Sequence, residues 1–409
     1  MSKYQNAGLP KVLLVHPGTQ HAPRLAAELY RRGLLGEFWS GFSCGEDVAW
    51  LRVLPERWRL RLGGRICRGV PDRMIRCRPL LEWAALRAMR KGRRGEDAFY
   101  DRNRRFQECI PQSALARTGA VAGFDTSSWI LVQRCQRAGI PFVLEQTVAH
   151  PAPKQRVLAE ASRQFPEWAE KDPQRPPRML EAERIEHMLA DRILVGSGYC
   201  RDSLMEEGVE PEKIVVNPYG IENTSAAEGS WAARDCFNRP LRFVFLGFLS
   251  LRKGVPLLLE AWQKAGLRDA ELVLAGGVRD EHRKLLPQTG NVRYAGFVPR
   301  SNVPRFLAEH DVYVLPSYSE GFPISMLEAL SAGLPVITTE VGADAVDGGK
   351  NGFVVPLGDV DVLVERLRWF SANRDKIGAM SEAAIAKAQE FTWERYGERW
   401  EAMLQELGE

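Results

Sequence analysis

The sequence predicts an α/β fold of two Rossmann-like, doubly wound domains. Short apolar runs alternate with helical patterns in both halves, and a glycine-containing turn follows the first strand of each half. The 409 residues also exceed the length that a single hydrophobic core usually serves.

Composition excludes several classes of protein. With 45% apolar and 26% charged residues, the chain is an ordinary folded protein rather than a disordered one. Its seven cysteines show no CxxC spacing, so reduced thiols are favoured over a disulfide framework or structural zinc. No apolar run approaches the roughly 18 residues that span a bilayer, and the N-terminus does not read as a secretory signal. We expect a cytoplasmic protein, either free or peripheral on the inner face of the membrane.

The first domain, predicted over residues 1–222, opens with the strand KVLLV and the turn HPGTQHAP. The backbone of Gly18 and Thr19 could approach a phosphate at the N-terminus of the next helix, although an ordinary tight turn is an equally good interpretation. A later strand, Pro141–Leu144, leads into a polar turn that ends at His150. This histidine is either a catalytic group or a structural hydrogen-bonding residue.

A basic block occupies Leu51–Ile110, where 17 Arg and Lys against 7 Asp and Glu give a local balance of +10. Helical spacing places a stripe of cations on one face, formed by Arg87, Arg90, Lys91 and Arg94. A solvated charged face and a surface for anionic lipid remain open as interpretations. Nucleic acid is disfavoured as a partner because the block contains no recognisable nucleic-acid module.

Residues 223–240 are predicted as a linker, because they begin Ser/Ala/Gly-rich and lack apolar periodicity. A second domain over residues 241–390 then alternates strand and helix regularly. The helix predicted in residues 391–409 is dense in aromatic residues, so we expect it to pack back on the first domain.

Two glutamates belong to a strand–turn–helix–strand unit in the second domain, Asp311–Glu340. Glu320 lies in the turn at the carboxyl edge of the predicted sheet, and Glu328 follows on the helix. Each carboxylate can accept hydrogen bonds from adjacent sugar hydroxyls. Alone, Glu320 could be an N-cap and Glu328 a surface charge, but the pair within EGFPISMLE favours ligand binding.

Two cations, Arg252 and Lys253, follow the first strand of the second domain. Cations beside helix N-terminal amides suit a diphosphate, and their position at the edge that holds Glu320 favours this role over a solvated turn. The DVD sequence at Asp359–Asp361 is explained by helix capping, so no metal site is predicted. The chain contains no Walker A, HExxH or GxSxG sequence.

Several motifs resemble glycosyltransferase family 4, whose GT-B architecture implies two Rossmann-like domains that face a central cleft. They are GFLSLRKGV, NVRYAGFVP and DVYVLPSYSEGFPISMLEALSAGLPVITTEVGADAVDGGKNGFVVP in the second half, and HPGTQHA, ADRILVGSGYC and EPEKIVVNPYGIE in the first. The resemblance implies a hexosyltransferase that transfers sugar with retention from a nucleotide-diphosphate sugar, without a metal or another cofactor. Implied acceptors are a glycan, a lipid-linked molecule or a small molecule, as in polysaccharide or glycolipid biosynthesis.

The resemblance also implies residue roles. Glu320 would hold the donor sugar, Glu328 the ribose and Lys253 the diphosphate. Family members usually carry an arginine after the strand-end glycine, where Phe248 follows Gly247 here, and Arg252 is the candidate replacement. The first-domain histidine that contacts the donor sugar would be His150, with Thr147 or Glu145 as alternatives. The predicted catalytic residues are Glu320, His150 and Lys253, and the predicted donor-binding residues are Gly18, Thr19, Arg252, Lys253, Phe297, Val298, Glu320, Gly321, Phe322, Pro323, Ile324 and Glu328.

We therefore expect a retaining glycosyltransferase whose departing phosphate oxygen deprotonates the acceptor. Positioning and charge stabilisation would then supply most of the catalysis. The alternatives are another GT-B enzyme, either a phosphorylase or a nucleotide-sugar epimerase, and a non-catalytic subunit that binds a sugar nucleotide.

Overall fold

Two parallel sheets form the framework of the molecule. A computed structural model describes residues 9–48, 62–169, 175–222, 237–287 and 290–408, together with Val53 and Pro55. The first sheet has the strand order β5-β2-β1-β6-β7-β8-β9, and the second has the order β12-β11-β10-β13-β14-β15. The strands of the first domain are β1 (Val12–His16), β2 (Leu35–Ser40), β5 (Ile75–Cys77), β6 (Ala120–Phe124), β7 (Phe142–Gln146), β8 (Arg192–Val195) and β9 (Ile214–Val216), with a separate short pair, β3 (Cys44–Gly45) and β4 (Ile66–Cys67). Those of the second are β10 (Leu241–Leu246), β11 (Ala270–Ala275), β12 (Val292–Gly296), β13 (Val312–Leu315), β14 (Val336–Thr339) and β15 (Gly352–Val355).

Helices cover both faces of each sheet, so the central strands are apolar throughout rather than alternating. Val12 and Val15 in β1 and Phe243 and Phe245 in β10 are fully buried. The first domain contains α1 (Ala22–Arg31), α2 (Pro79–Arg90), α3 (Gly95–Glu108), α4 (Gln112–Leu115), α5 (Trp129–Ala138), α6 (Pro151–Gln164), α7 (Pro177–Leu189) and α8 (Gly198–Glu206). After the second sheet begins come α9 (Val255–Ala265), α10 (Asp280–Arg283), α11 (Val303–Ala308), α12 (Ile324–Ser331), α13 (Val360–Ala372), α14 (Ile377–Ala388) and α15 (Trp393–Gly408). The predicted pair of doubly wound domains is confirmed.

Each sheet reverses its winding direction at its first strand. β1 lies between β2 and β6, and β10 lies between β11 and β13. In open α/β sheets, ligands bind beyond the carboxyl ends of the strands at such a switch point. The turns that carry Gly18 and Lys253 follow β1 and β10, so both lie at the expected edges.

Helix α15 crosses back onto the first domain, as its aromatic residues predict. Its Tyr396 hydroxyl and its Trp400 indole N–H both donate to Glu145 Oε1, each at 2.6 Å. The buried guanidinium of Arg32, the residue after α1, donates to the carbonyl oxygen of Glu394 at 2.7 Å. Fourteen residues of the predicted linker, 223–236, lie outside the described residues. Residues 56–61 of the basic block lie outside them as well.

Candidate active site

The carboxyl edge of the second sheet brings together two cations and one carboxylate. The turn after β10 carries Arg252 and Lys253, and the turn after β13 carries Glu320. Glu320 Oε1 lies 2.7 Å from Lys253 Nζ and 3.1 Å from an Arg252 guanidinium nitrogen. The Ser317 hydroxyl donates to the same oxygen at 3.0 Å, and Glu320 is only 7% exposed. The edge predicted from the sequence therefore unites these three side chains.

The electrostatics of this cluster favour an anionic ligand. Burial by itself raises the pKa of Glu320, but Lys253 and Arg252 together hold that pKa below its ordinary value. Burial lowers the pKa of Lys253, while the Glu320 carboxylate opposes that change. With all three groups ionised, two positive charges face one negative charge. The net charge of +1 attracts a phosphate group.

Gly254 fixes the turn in which the two cations lie. Its φ of +69° is in the left-handed region, where other residues are strained. A Cβ atom here would also lie 1.9 Å from the carbonyl oxygen of Pro316, at the end of β13. Glycine thus lets the turn after β10 pack against the turn that leads to Glu320.

Glu328 lies on α12 in a different environment. Burial raises the pKa of its half-buried carboxyl, and Arg300 only partly opposes the rise. Within the described residues its carboxylate has no hydrogen bond or ion pair. Glu328 therefore has free acceptor capacity for hydroxyl groups.

Two exposed aromatic rings follow strands β10 and β12 at this edge, with β11 between them. Phe248 follows β10 and is 46% exposed, with its ring against Gly277. Phe297 follows β12 and is 76% exposed, and Val298 beside it is half-buried. The position where the resemblance predicts an arginine thus presents a hydrocarbon ring, and the cations of this edge come from the turn after it.

The first domain presents a glycine turn above a buried histidine that the sequence analysis missed. A Cβ atom at Gly18 would lie 2.7 Å from His16 Nε2. That nitrogen is buried and has no hydrogen-bond partner in the described part of the chain. Burial lowers the pKa of His16 well below its ordinary value, so the ring is neutral. Its place as the last residue of β1 is the signal that could have identified it.

Thr147 is one of the first-domain residues that lie against the turn containing Glu320 and Gly321. A Cβ atom at Gly321 would lie 1.8 Å from the carbonyl oxygen of Thr147. The Thr147 hydroxyl donates to Asp125 Oδ1 at 2.7 Å and accepts from the Gln20 amide at 3.2 Å. Gln20 and Asp125 were not predicted, because only the fold brings their two loops beside Thr147.

The two other candidates for the first-domain role face different partners. His150 begins α6: its ring Nδ1 accepts from Ala152 N at 3.3 Å, and its backbone N–H donates to the Ser203 hydroxyl. The centre of its ring lies 5.3 Å from the centre of the His187 ring. Glu145 is buried and accepts from α15, as described above.

Polar contacts close the two domains around the acidic turn. The Ser197 hydroxyl donates to the carbonyl oxygen of Gly321 at 2.6 Å, and Gly198 N donates to Asp344 Oδ2 at 2.6 Å. Further from this edge, Trp168 of the first domain packs on His282 of the second, with ring centroids 4.9 Å apart. A cavity of about 700 Å³ beside Trp168 contains none of the predicted site residues.

Neither a metal centre nor a membrane span is found in the parts of the chain that the structure covers. No three side chains of His, Cys, Asp or Glu lie together as metal ligands would among those residues. None of the helices there combines the length and the hydropathy that crossing a bilayer requires.

With two Rossmann-like domains around this edge, the molecule has the two-domain GT-B fold of glycosyltransferases. Residues 240–373 match the family described as glycosyl transferases group 1, and this segment contains the whole Lys253–Glu320–Glu328 edge. The amylovoran biosynthesis glycosyltransferase AmsK of Erwinia amylovora is 27% identical over 48% of this chain and 51% of its own length. The chain spans about half the length of the curated relatives it matches.

Solved structures match over nearly the whole chain. Sucrose-phosphate synthase from Thermosynechococcus elongatus has a TM-score of 0.65 at 17% identity, covering 97% of this chain and 98% of its own. Anabaena HepE in complex with UDP-glucose has a TM-score of 0.62 at 15% identity, covering 97% of this chain and all of its own. At these identities the structures define the fold.

Proposed function

We propose that this chain is a retaining, metal-independent glycosyltransferase that uses a nucleotide-diphosphate sugar. The observation that carries the proposal is the carboxylate of Glu320, held between Lys253 and Arg252 at the edge where the domains meet. Further support comes from the family match over the same edge and from a fold neighbour that binds UDP-glucose. The acceptor is a glycan, a lipid-linked molecule or a small molecule, as in the biosynthesis of polysaccharides or glycolipids.

Each part of the donor has a residue to bind it. Lys253 and the first amides of α9 bind the diphosphate, where fixed positive charge is favoured. Glu328 accepts hydrogen bonds from the ribose, and the backbone at Phe297 and Val298 flanks the base. Glu320 holds the donor sugar. Across the cleft, Gly18 and Thr19 approach the phosphate from the first domain.

The chemistry needs little from protein side chains beyond charge and position. The bond between the sugar C1 and the phosphate oxygen breaks, and a bond from C1 to the acceptor oxygen forms on the same face. The acceptor proton passes to the departing phosphate oxygen, so no protein base is required. Lys253 stabilises the negative charge that develops on the diphosphate. We assign the first-domain contact with the donor sugar to Thr147 in preference to His150, since Thr147 lies against Gly321 and the ring of His150 lies beside that of His187.

The six described cysteines are free thiols, which supports a cytoplasmic location.

A thermal-shift experiment with UDP, GDP, ADP and their sugars tests the proposal. A ligand that binds only the folded state at a hundred times its Kd stabilises it by about 2.7 kcal/mol, so at least one compound should raise the unfolding midpoint. Lys253→Ala should weaken that ligand by about ten- to a hundredfold, because it removes a charged hydrogen bond. Lys264→Ala is the matched control: Lys264 lies on α9, the helix that follows the Lys253 turn, and it is exposed and paired with Glu260.

If no nucleoside diphosphate raises the midpoint, the proposal is wrong. Phosphate-dependent cleavage of a disaccharide would instead indicate a phosphorylase, and epimerisation without an acceptor would indicate an epimerase. Binding without hydrolysis or transfer over a broad acceptor panel would indicate a non-catalytic subunit.

A further inference from the structure

Helix α2 exposes three large apolar side chains on its outward face. Leu80 is 78% exposed, Trp83 58% and Leu86 43%. Their spacing of three residues places them on one side of the helix, while Ala85 on the opposite side is buried. In the described part of the chain, no other helix exposes three such side chains.

Cations lie among these apolar side chains. Arg87, Arg90 and Lys91 are exposed on the same face and form no ion pair with any described residue. The Arg87 guanidinium lies 5.1 Å from the centre of the Trp83 ring. The only carboxylate of α2, Glu82, is 14% exposed and pairs with Arg65 and Arg102. The outward face therefore combines apolar and positive groups without an acidic one.

The position of α2 connects this face to the cleft. β5 is the edge strand of the first sheet, and α2 begins just beyond its carboxyl end. Arg78 N donates to the carbonyl oxygens of Ser40 and Gly41, at 3.0 and 3.1 Å. A Cβ atom at Gly41 would lie 2.3 Å from the carbonyl oxygen of Pro17, next to the Gly18 turn. A surface held by α2 thus lies beside the entrance to the candidate site.

This combination of side chains distinguishes among partners. A face that only meets water has no need for three large apolar groups together. A twofold contact between two copies of α2 would bring like charges together with no acidic group to neutralise them. Leucine and tryptophan beside arginine and lysine are typical of helices that lie in the interface of an anionic bilayer.

We propose that α2 docks this chain on the surface of an anionic lipid bilayer. The apolar side chains enter the boundary between headgroups and acyl chains, and the cations bind lipid phosphates. The residues involved are Leu80, Trp83 and Leu86 for the first contact and Arg87, Arg90 and Lys91 for the second. This docking deepens the proposed function by favouring a lipid-linked acceptor. Because it is measured by binding alone, its failure is distinguishable from a failure of glycosyl transfer.

Co-sedimentation of the full chain with lipid vesicles tests the proposal. Wild type should bind vesicles of phosphatidylglycerol and phosphatidylcholine, release them as salt is raised from about 0.1 M to about 1 M, and bind pure phosphatidylcholine far less. The variant Arg87→Gln/Arg90→Gln/Lys91→Gln should lose on the order of a hundredfold in partitioning, at roughly fivefold for each cation. The variant Leu80→Ser/Trp83→Ser/Leu86→Ser should lose about tenfold or more.

Met188→Ser/Met205→Ser is the matched control, because these methionines are also exposed on helices of the first domain. It should bind as wild type does, and all variants should keep the wild-type unfolding midpoint. The proposal is overturned if wild type ignores anionic vesicles or if both α2 variants bind as well as wild type. Sedimentation velocity that shows a dimer broken by the α2 variants, without vesicle binding, would assign the face to a second copy instead.

Discussion

Glu320 and Glu328 lie eight positions apart, yet their carboxylates have opposite electrostatic settings. Two cations lie within 3.1 Å of Glu320 and hold its pKa below the ordinary value. Around Glu328, burial dominates and raises the pKa. The first carboxylate is already satisfied without a ligand, whereas the second is held in a site that disfavours its charge. A stability cost accepted at Glu328 is expected of a group kept for binding.

Glu328→Gln should therefore stabilise the folded chain while weakening the binding of its ligand. Burial raises the folded pKa of Glu328 above 4.5, so the folded state binds more protons than the unfolded state between the two values. The destabilisation is full above the folded pKa and disappears as the pH falls through that pKa towards 4.5. The variant should have the higher unfolding midpoint at pH 7, and about tenfold weaker affinity for the selected nucleoside diphosphate.

Two comparisons make this prediction specific. A 2′,3′-dideoxy analogue should bind wild type and Glu328→Gln equally, because the hydroxyls that the carboxylate accepts from are missing. A difference in midpoint that is as large at pH 4.5 as at pH 7 would contradict the linkage argument.

At the scale of single residues, sequence reasoning recovers what strand order determines. Lys253 and Glu320 both follow parallel strands, so the meeting of their side chains at one edge could be predicted. The structure adds His16, Gln20 and Asp125, whose contacts depend on the path of turns. No periodic pattern encodes that path. His150 was a candidate for the first-domain contact with the donor sugar because it follows the end of a strand.

Among the elements, α15 makes the most specific contact between distant parts of the chain. Its aromatic residues predicted that it packs on the first domain, and that prediction is confirmed. The residue that accepts hydrogen bonds from α15 could not be predicted. The family resemblance made Glu145 a candidate for contact with the donor sugar, whereas its carboxylate accepts hydrogen bonds from Tyr396 and Trp400. A buried acceptor satisfied by residues more than 250 positions away leaves no local signal.

Glu145→Ala should loosen α15. The substitution removes the acceptor of two 2.6 Å hydrogen bonds, so the free energy of unfolding should fall by about 3 kcal/mol. The buried Tyr396 hydroxyl keeps only its contact with His21 Nε2 at 3.1 Å, and the Trp400 indole N–H keeps only a longer hydrogen bond to that hydroxyl at 3.3 Å. Denaturant unfolding measures the loss, and hydrogen exchange should localise it to residues 393–408. Glu398→Ala, at an exposed position on the same helix, should change the free energy by no more than about 0.5 kcal/mol. Unchanged exchange protection of α15 in Glu145→Ala would refute the docking role.

At the scale of the whole molecule, the contact of the two domains at Gly321 depends on backbone atoms. Gly321 permits the approach of Thr147, and Ser197 then reaches the Gly321 carbonyl oxygen. The sequence predicted the two domains because strand and helix alternate, and the family resemblance implied that they face each other. It did not predict how closely they approach, since Gly321 was predicted only as a donor-binding residue.

Gly321→Ala should separate the domains slightly. The added Cβ would lie 1.8 Å from the Thr147 carbonyl oxygen. The Cβ is fixed to the backbone of residue 321 and the oxygen belongs to the backbone of Thr147, so no side-chain rotation can relieve the clash. We expect a loss of about 1–3 kcal/mol in stability, a larger radius of gyration by X-ray scattering and a smaller ligand-induced shift in midpoint. Gly348→Ala is the control, because nothing lies within 4 Å of the position of its Cβ. Scattering and ligand response identical to wild type would show that the contact does not hold the domains together.

The contact between Glu145 and α15 also sets an order of events during synthesis. Tyr396 is made 251 residues after Glu145, and Trp400 255 residues after it. When the first domain leaves the ribosome, its buried carboxylate has His21 but neither of these donors. The nascent first domain thus carries an incomplete polar core while the entire second domain is translated. Completion of the first domain is consequently a late, long-range step that follows translation of the second.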